Sequence, residues 1–160
     1  MIKSYSKINL FLKVLKKNIK GLHDIQSTTM LLTLHDKIII KKIKKNKDVV
    51  VFNGPFKKNI NTKLNTITST LSLLRSQNLI NPNKKYKIIV NKQIPVFAGL
   101  GGGTGNAAAV IKYFLKKKLN IKLLKIFEKK IGSDLRLFFF NHIFQKNLKK
   151  IIKFKKKYKF

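Results

Sequence analysis

At 160 residues the chain is long enough for one packed domain and short for two, and 44% hydrophobic residues exclude wholesale disorder. The absence of cysteine excludes a disulfide framework and a thiolate metal site. The formal net charge of +32 raises two readings, a polyanion partner or solvated lysine faces imposed by an AT-rich coding bias; with Arg75 and Arg136 as the only arginines, the second is favoured.

Met1 to Phe11 lacks the unbroken apolar core of a signal peptide. No window reaches the roughly 18 apolar residues of a membrane span, so the chain reads as cytoplasmic. Tyr5 to Val14 reads as a strand: Ile8, Leu10, Leu12 and Val14 alternate with polar residues, which puts Lys7 and Asn9 on the opposite face. Phe11 interrupts the alternation. A turn through Asn18 to Gly21 precedes strands over Ile25–Leu34, Lys37–Ile43 and Val49–Phe52, with Asp36 and the run around Asn46 as turns between them. Asn53-Gly54-Pro55 is a breaker.

Leu64, Ile67, Leu71 and Leu74 then recur at helical spacing, predicting a helix from about 61 to 78. Asn81-Pro82-Asn83 breaks the chain, Tyr86–Val90 is a short strand, and a glycine-rich turn leads into a helix over about Thr104–Leu119. Another helix, Leu123–Ile131, stops at Gly132. Leu135–Phe140 is an apolar run that predicts a buried strand, and Lys149 to Phe160 alternates weakly. This order gives an α+β domain.

The sharpest chemical signal is the stretch Pro95, Val96, Phe97, Ala98, Gly99, Leu100, Gly101, Gly102, Gly103, Thr104, Gly105, Asn106, followed by three alanines. Glycines let backbone N–H groups approach an anion unobstructed, and the helix N-terminus adds free donors and partial positive charge. The pattern lacks the Gly-Lys-Ser/Thr of a Walker loop and does not fit the spacing of a dinucleotide fingerprint. A plain turn is the alternative, at an entropic cost that such a turn does not require.

Five acids exist: Asp24, Asp36, Asp48, Glu128 and Asp134. Asp36 and Asp48 read as ordinary turn residues, and Glu128 as a partner for a helical lysine. Asp24 opens a strand. Asp134, between a helix-ending glycine and an apolar run, needs a partner or a purpose, or is a capping residue. His23, His35 and His142 have no metal-ligand spacing, so no protein metal site is expected.

The glycine loop resembles the second signature of the GHMP kinases, a Pro followed by Gly-Leu-Gly-Gly-Gly-Ser-Ser-Asn-Ala-Ala. Ser4 to Val14 resembles the first signature in one branch, which acts on cytidylyl-methylerythritol. Gly21 to Ser27, Leu34-His35-Asp36 and Ile131 to Phe139 resemble segments of that branch. The resemblance implies a GHMP kinase N-terminal domain of ribosomal protein S5 domain 2-like fold over 1–148. It implies that 149–160 opens a C-terminal region truncated here, so that the C-terminal domain, with a third signature, is missing and the chain alone has little activity.

The implied reaction is ATP-dependent phosphorylation of the 2-hydroxyl of cytidylyl-methylerythritol, a step of the non-mevalonate isoprenoid route. Asp134 and Lys7 are the implied catalytic residues, residues 95 to 106 hold ATP with Mg²⁺, and Asn9 and His23 line the substrate pocket. Leu22 replaces an aromatic, Gly105 a phosphate-binding serine and Arg136 a proline. The competing reading is a basic nucleic-acid-binding module of the same fold; GHMP kinases for mevalonate, homoserine or a sugar fit the motifs less well.

Overall fold

The computed structural model describes residues 1–17, 23–58, 60–116, 119–140, 142–145 and 151–153. Its strands are β1 (Ile2–Lys17), β2 (His23–Ile43), β3 (Val49–Asn53), β4 (Lys85–Asn91), β5 (His142–Gln145) and β6 (Ile151–Lys153). They form one sheet in the order β3-β4-β2-β5-β6, with β1 antiparallel on the other edge of β2. The long strand β2 is the spine. Residues 37–43 pair with β4 and residues 27–30 with β5 on the same edge. β3 and β4 run parallel, joined through α1 (Thr66–Ser76) as parallel strands require.

Each helix has a local cause. Asn65 caps α1 by accepting from the N–H groups of Ile67 and Thr68, both at 3.0 Å, while Thr68 Oγ1 accepts from Asn65 N–H in return. Ile67, Thr70, Leu71 and Leu74 form its buried face. Asn120 caps α3 (Ile121–Ile131), which buries Leu124 and Phe127. Between these lies α2 (Gly102–Leu115), whose residues 105–111 are all buried. The small side chains of Ala107, Ala108 and Ala109 let it sit close against the sheet. Ile38, Ile88 and Val90 from β2 and β4 close the core beneath. Among the described residues no helix is long and apolar enough to cross a membrane.

The α+β class and, from β3 to α3, the order of elements follow the sequence reading. Several local readings do not. The two strands expected on either side of Asp36 are one, β2, so Asp36 is not a turn residue; it is mid-strand and fully buried. Its place on the face of Ile38, two residues on, is why: period-two alternation puts both inward.

The run Leu135–Phe140 is not a strand: up to Phe139 it belongs to a 3₁₀ segment, η1 (Ser133–Phe139), which buries Leu135, Leu137 and Phe138; an apolar run of this length has no periodicity that separates the two. α2 ends four residues earlier than expected, where Lys116 turns to a φ of 50°. The apolar set of β1 faces solvent, with Leu10 57% and Leu12 52% exposed, while on the opposite side Lys7 is buried and Asn9 partly so. Residues 151–153 pair with β5.

Asp48 holds one corner of the fold. Its carboxylate takes a two-pronged contact from Arg75 of α1 at 2.6 and 3.0 Å and a third bond from Tyr86 N–H at 2.8 Å. Removing one partner of such a part-buried group leaves the others unsatisfied, so Asp48→Ala is expected to cost about 2–3 kcal/mol. A urea denaturation midpoint unchanged from the parent would contradict that role.

Candidate active site

The site forms where the beginning of the chain meets two distant segments. β1 is out of register with β2 between Tyr5 and Lys7. As a consequence Ser6 and Lys7, adjacent in sequence, are both buried, the re-aiming that a bulge produces. The Lys7 backbone N–H donates to Leu100 O at 2.9 Å, which ties β1 to the glycine loop. Its ammonium lies 3.3 Å from Asp134 Oδ2 and 3.4 Å from Asn9 Oδ1. Thr29 of β2 donates to the same Asn9 oxygen at 3.2 Å. Asp134 sits in the first turn of η1 and remains 40% exposed, against 8% for Lys7. The arrangement pairs a sheltered cation with a carboxylate open to a ligand.

Gly101 makes the loop possible. It caps α2 at a φ of 69°, the left-handed region that disfavours a side chain. A Cβ there would come within 2.6 Å of Phe138 Cζ and 3.1 Å of Lys7 Cγ. No side chain caps α2, so the N–H groups of its first turn have no side-chain partner. The loop and α1 lock together through Thr66 Oγ1, which donates to Gly103 O at 2.8 Å.

A cavity of about 460 Å³ opens beside this turn. Pro95 to Thr104 and Asn106 line it on one side, and Phe52, Leu64, Thr66 and Lys92 on others. Asn106 is buried, and its Oδ1 in that wall has no hydrogen-bond partner. Lys7 and Asp134 are not part of the wall; Lys7 meets the loop at Leu100 and Gly101, and Asp134 is joined to it through Lys7. The expected residues therefore come together in two adjoining parts, an apolar-lined cradle and an acid–base pair. His23 opens β2, but its side chain, like Leu22, lies outside the described residues.

Two of the departures from the kinase signatures have a structural answer. A Cβ on Gly105 would point away from the cavity, meeting Phe138 Cε1 at 3.0 Å, Tyr5 O at 3.1 Å and Ser4 Oγ at 3.2 Å. The glycine thus relieves crowding against β1 and takes no hydroxyl from the cradle. Thr104 keeps its hydroxyl toward the η1 side, 3.8 Å from the Cβ position of Gly132. Arg136 forms a two-pronged ion pair with Glu128, so that Glu128 holds η1 to α3 and does not pair with a lysine as expected. The Glu128 hydrogen bond raises the Arg136 pKa above its ordinary value against the opposing effect of burial. At the far end of η1, Lys112 of α2 donates to Phe138 O at 2.5 Å, and its burial lowers its pKa.

Sequence reasoning missed Asp36 and Lys92. They form a buried ion pair behind the loop. Among the described residues no group of three or more His, Cys, Asp or Glu could hold a metal ion.

Residues 65–135 match the family described as GHMP kinases N terminal domain. The chain carries that domain, and it has the ribosomal S5 domain 2-like α+β fold. It closely matches curated 4-diphosphocytidyl-2-C-methyl-D-erythritol kinases. The one from Pelagibacter ubique is 46% identical over 134 residues, covering 84% of this chain and 46% of that protein. The one from Thermosipho melanesiensis is 39% identical over 141 residues, covering 86% and 48%.

A crystal structure of 4-(cytidine 5'-diphospho)-2C-methyl-D-erythritol kinase superposes with a TM-score of 0.64 at 21% identity, over 89% of this chain and 50% of that one. Methanococcus jannaschii mevalonate kinase gives 0.62 at 22%, over 97% and 55%. The chain spans about half the length of the curated relatives it matches.

Gly101→Ala tests the turn. The left-handed strain alone amounts to about 1–2 kcal/mol, a fall of roughly 4 °C in melting temperature, before the clash with Phe138 is added. A melting curve superimposable on the parent's would show that the turn does not depend on a bare backbone.

Proposed function

We propose that this domain serves an ATP-dependent kinase that phosphorylates the 2-hydroxyl of 4-diphosphocytidyl-2-C-methyl-D-erythritol. The observation that carries the reading is the contact of Lys7 with Asp134 at 3.3 Å, next to a helix start whose donors are uncapped. Residues 1–148 are the nucleotide-holding domain in this reading, and 149–160 open a C-terminal region.

ATP fits the cradle. Phe52, Leu64, Pro95 and Val96 offer apolar surface for a base, and the orphaned Asn106 Oδ1 offers an acceptor. The backbone N–H groups from Gly101 to Thr104 hold the phosphates. Mg²⁺ is compatible with the same residues: it would be held through substrate phosphates and one or two protein oxygens, for which the Thr104 hydroxyl on the cavity wall is the candidate. When bound it neutralises phosphate charge. Asp134 orients the acceptor hydroxyl and takes its proton as the oxygen attacks the terminal phosphorus. Lys7 steadies that carboxylate and the charge developing on the transferred group, while the bond from that phosphorus to the ADP oxygen breaks. Asn9, held by Lys7 and Thr29, and His23 contact the acceptor. The nucleic-acid reading rests on net charge and the shared fold, and it gives the glycine turn no task.

Asp134→Ala is expected to lower phosphoryl transfer by about a hundredfold or more, the usual range for a general base, in the protein that carries this domain. ATP–Mg²⁺ affinity should stay close to the parent's. Phosphorus NMR of the product and equilibrium dialysis of the nucleotide separate the two quantities; transfer near the parental rate would remove Asp134 from its role.

A further inference from the structure

Asp36 stands midway along β2 with no exposed surface. One carboxylate oxygen accepts from the backbone N–H groups of Gln93 at 2.7 Å and Ile94 at 2.9 Å. The other oxygen takes the Lys92 ammonium, itself buried. Lys92 N–H also donates to Asn53 O at 2.8 Å. The three residues immediately ahead of Pro95 are thereby fastened to the spine of the sheet.

What rests on them is the start of α2. A Cβ on Gly102 would lie 3.1 Å from both Lys92 Nζ and Ile94 Cγ2, so the first turn sits directly on these two side chains. Lys92 also lines the 460 Å³ cavity. A cation beside a helix N-terminus has the wrong sign for the helix dipole. Asp36 offsets it, and both the ammonium and the dipole attract an anion in the cavity. Buried ion pairs contribute little net stability compared with apolar packing, so a positional role accounts for this one better than a stabilising role does.

We propose that Asp36 and Lys92 are positioning residues for the glycine loop, setting how strongly its N–H groups grip the phosphates of a nucleotide. This rests on the nucleotide reading above. The test compares ATP–Mg²⁺ and adenosine binding to the 160-residue chain by calorimetry, for the parent, Asp36→Asn, Lys92→Met and the double variant. The double variant removes both charges and leaves no unpaired one, so it decides the matter if a single variant does not fold, as checked by circular dichroism.

The expected result is a loss of ATP affinity of about tenfold, the scale of one charge-assisted hydrogen bond, with adenosine affinity within about twofold of the parent. Equal weakening of both ligands, or an unchanged preference for ATP in the folded double variant, overturns the inference alone. A parent chain that binds ATP no better than adenosine overturns the nucleotide reading and this inference with it.

Discussion

A single backbone hydrogen bond, from Lys7 N–H to Leu100 O, sets the geometry of the site. It forces the opening strand to pass against the glycine loop, and that closeness explains the composition of both. Gly101 must lack a side chain because Phe138 and Lys7 occupy the space, and Gly105 because Ser4, Tyr5 and Phe138 do. The bulge in β1 aims the Lys7 ammonium at Asp134 and leaves its backbone free to bond the loop. The loop, the strand and η1 are therefore one unit. A shift in any of them moves the acid relative to the uncapped helix start.

The scarcity of acids in so basic a chain sharpens their placement. Four of the five have described side chains, and each is spent at a joint. Asp36 joins β2 to the segment before the loop, and Asp48 joins the start of β3 to α1 and β4. Glu128 joins α3 to η1, and Asp134 joins η1 to β1. Both arginines of the chain, Arg75 and Arg136, are partners in this set, where a planar fork can engage two carboxylate oxygens at once. Three of the pairs are half-buried or deeper on both sides. The Asp134 pair differs in having its carboxylate open, which suits a group that must meet a ligand.

The order of helices and strands from β3 to α3 is legible in the sequence because periodicity and breakers are local. The loop is legible because so many consecutive glycines have few purposes. Lys7 and Asp134 become candidates through the kinase signatures, and their meeting across 127 residues is a tertiary fact that no local pattern carries. Asp36 misleads because an acid between two apolar runs looks like a turn; the lysine 56 positions later and the two backbone N–H groups that follow it make mid-strand burial tolerable. Gly105 misleads for the opposite reason, since a motif names a residue without saying which way its Cβ points. The fate of the apolar side of β1 likewise depends on what packs against it, and alternation alone does not reveal its exposure.

The most direct test of the phosphate cradle is an amide NMR titration of the chain with ATP–Mg²⁺. The largest shifts are expected on the N–H groups of Gly101 to Thr104 and on Lys7, which is bonded to that loop. Shifts spread over the lysine-rich surface, with residues 99 to 106 unmoved, would contradict the cradle.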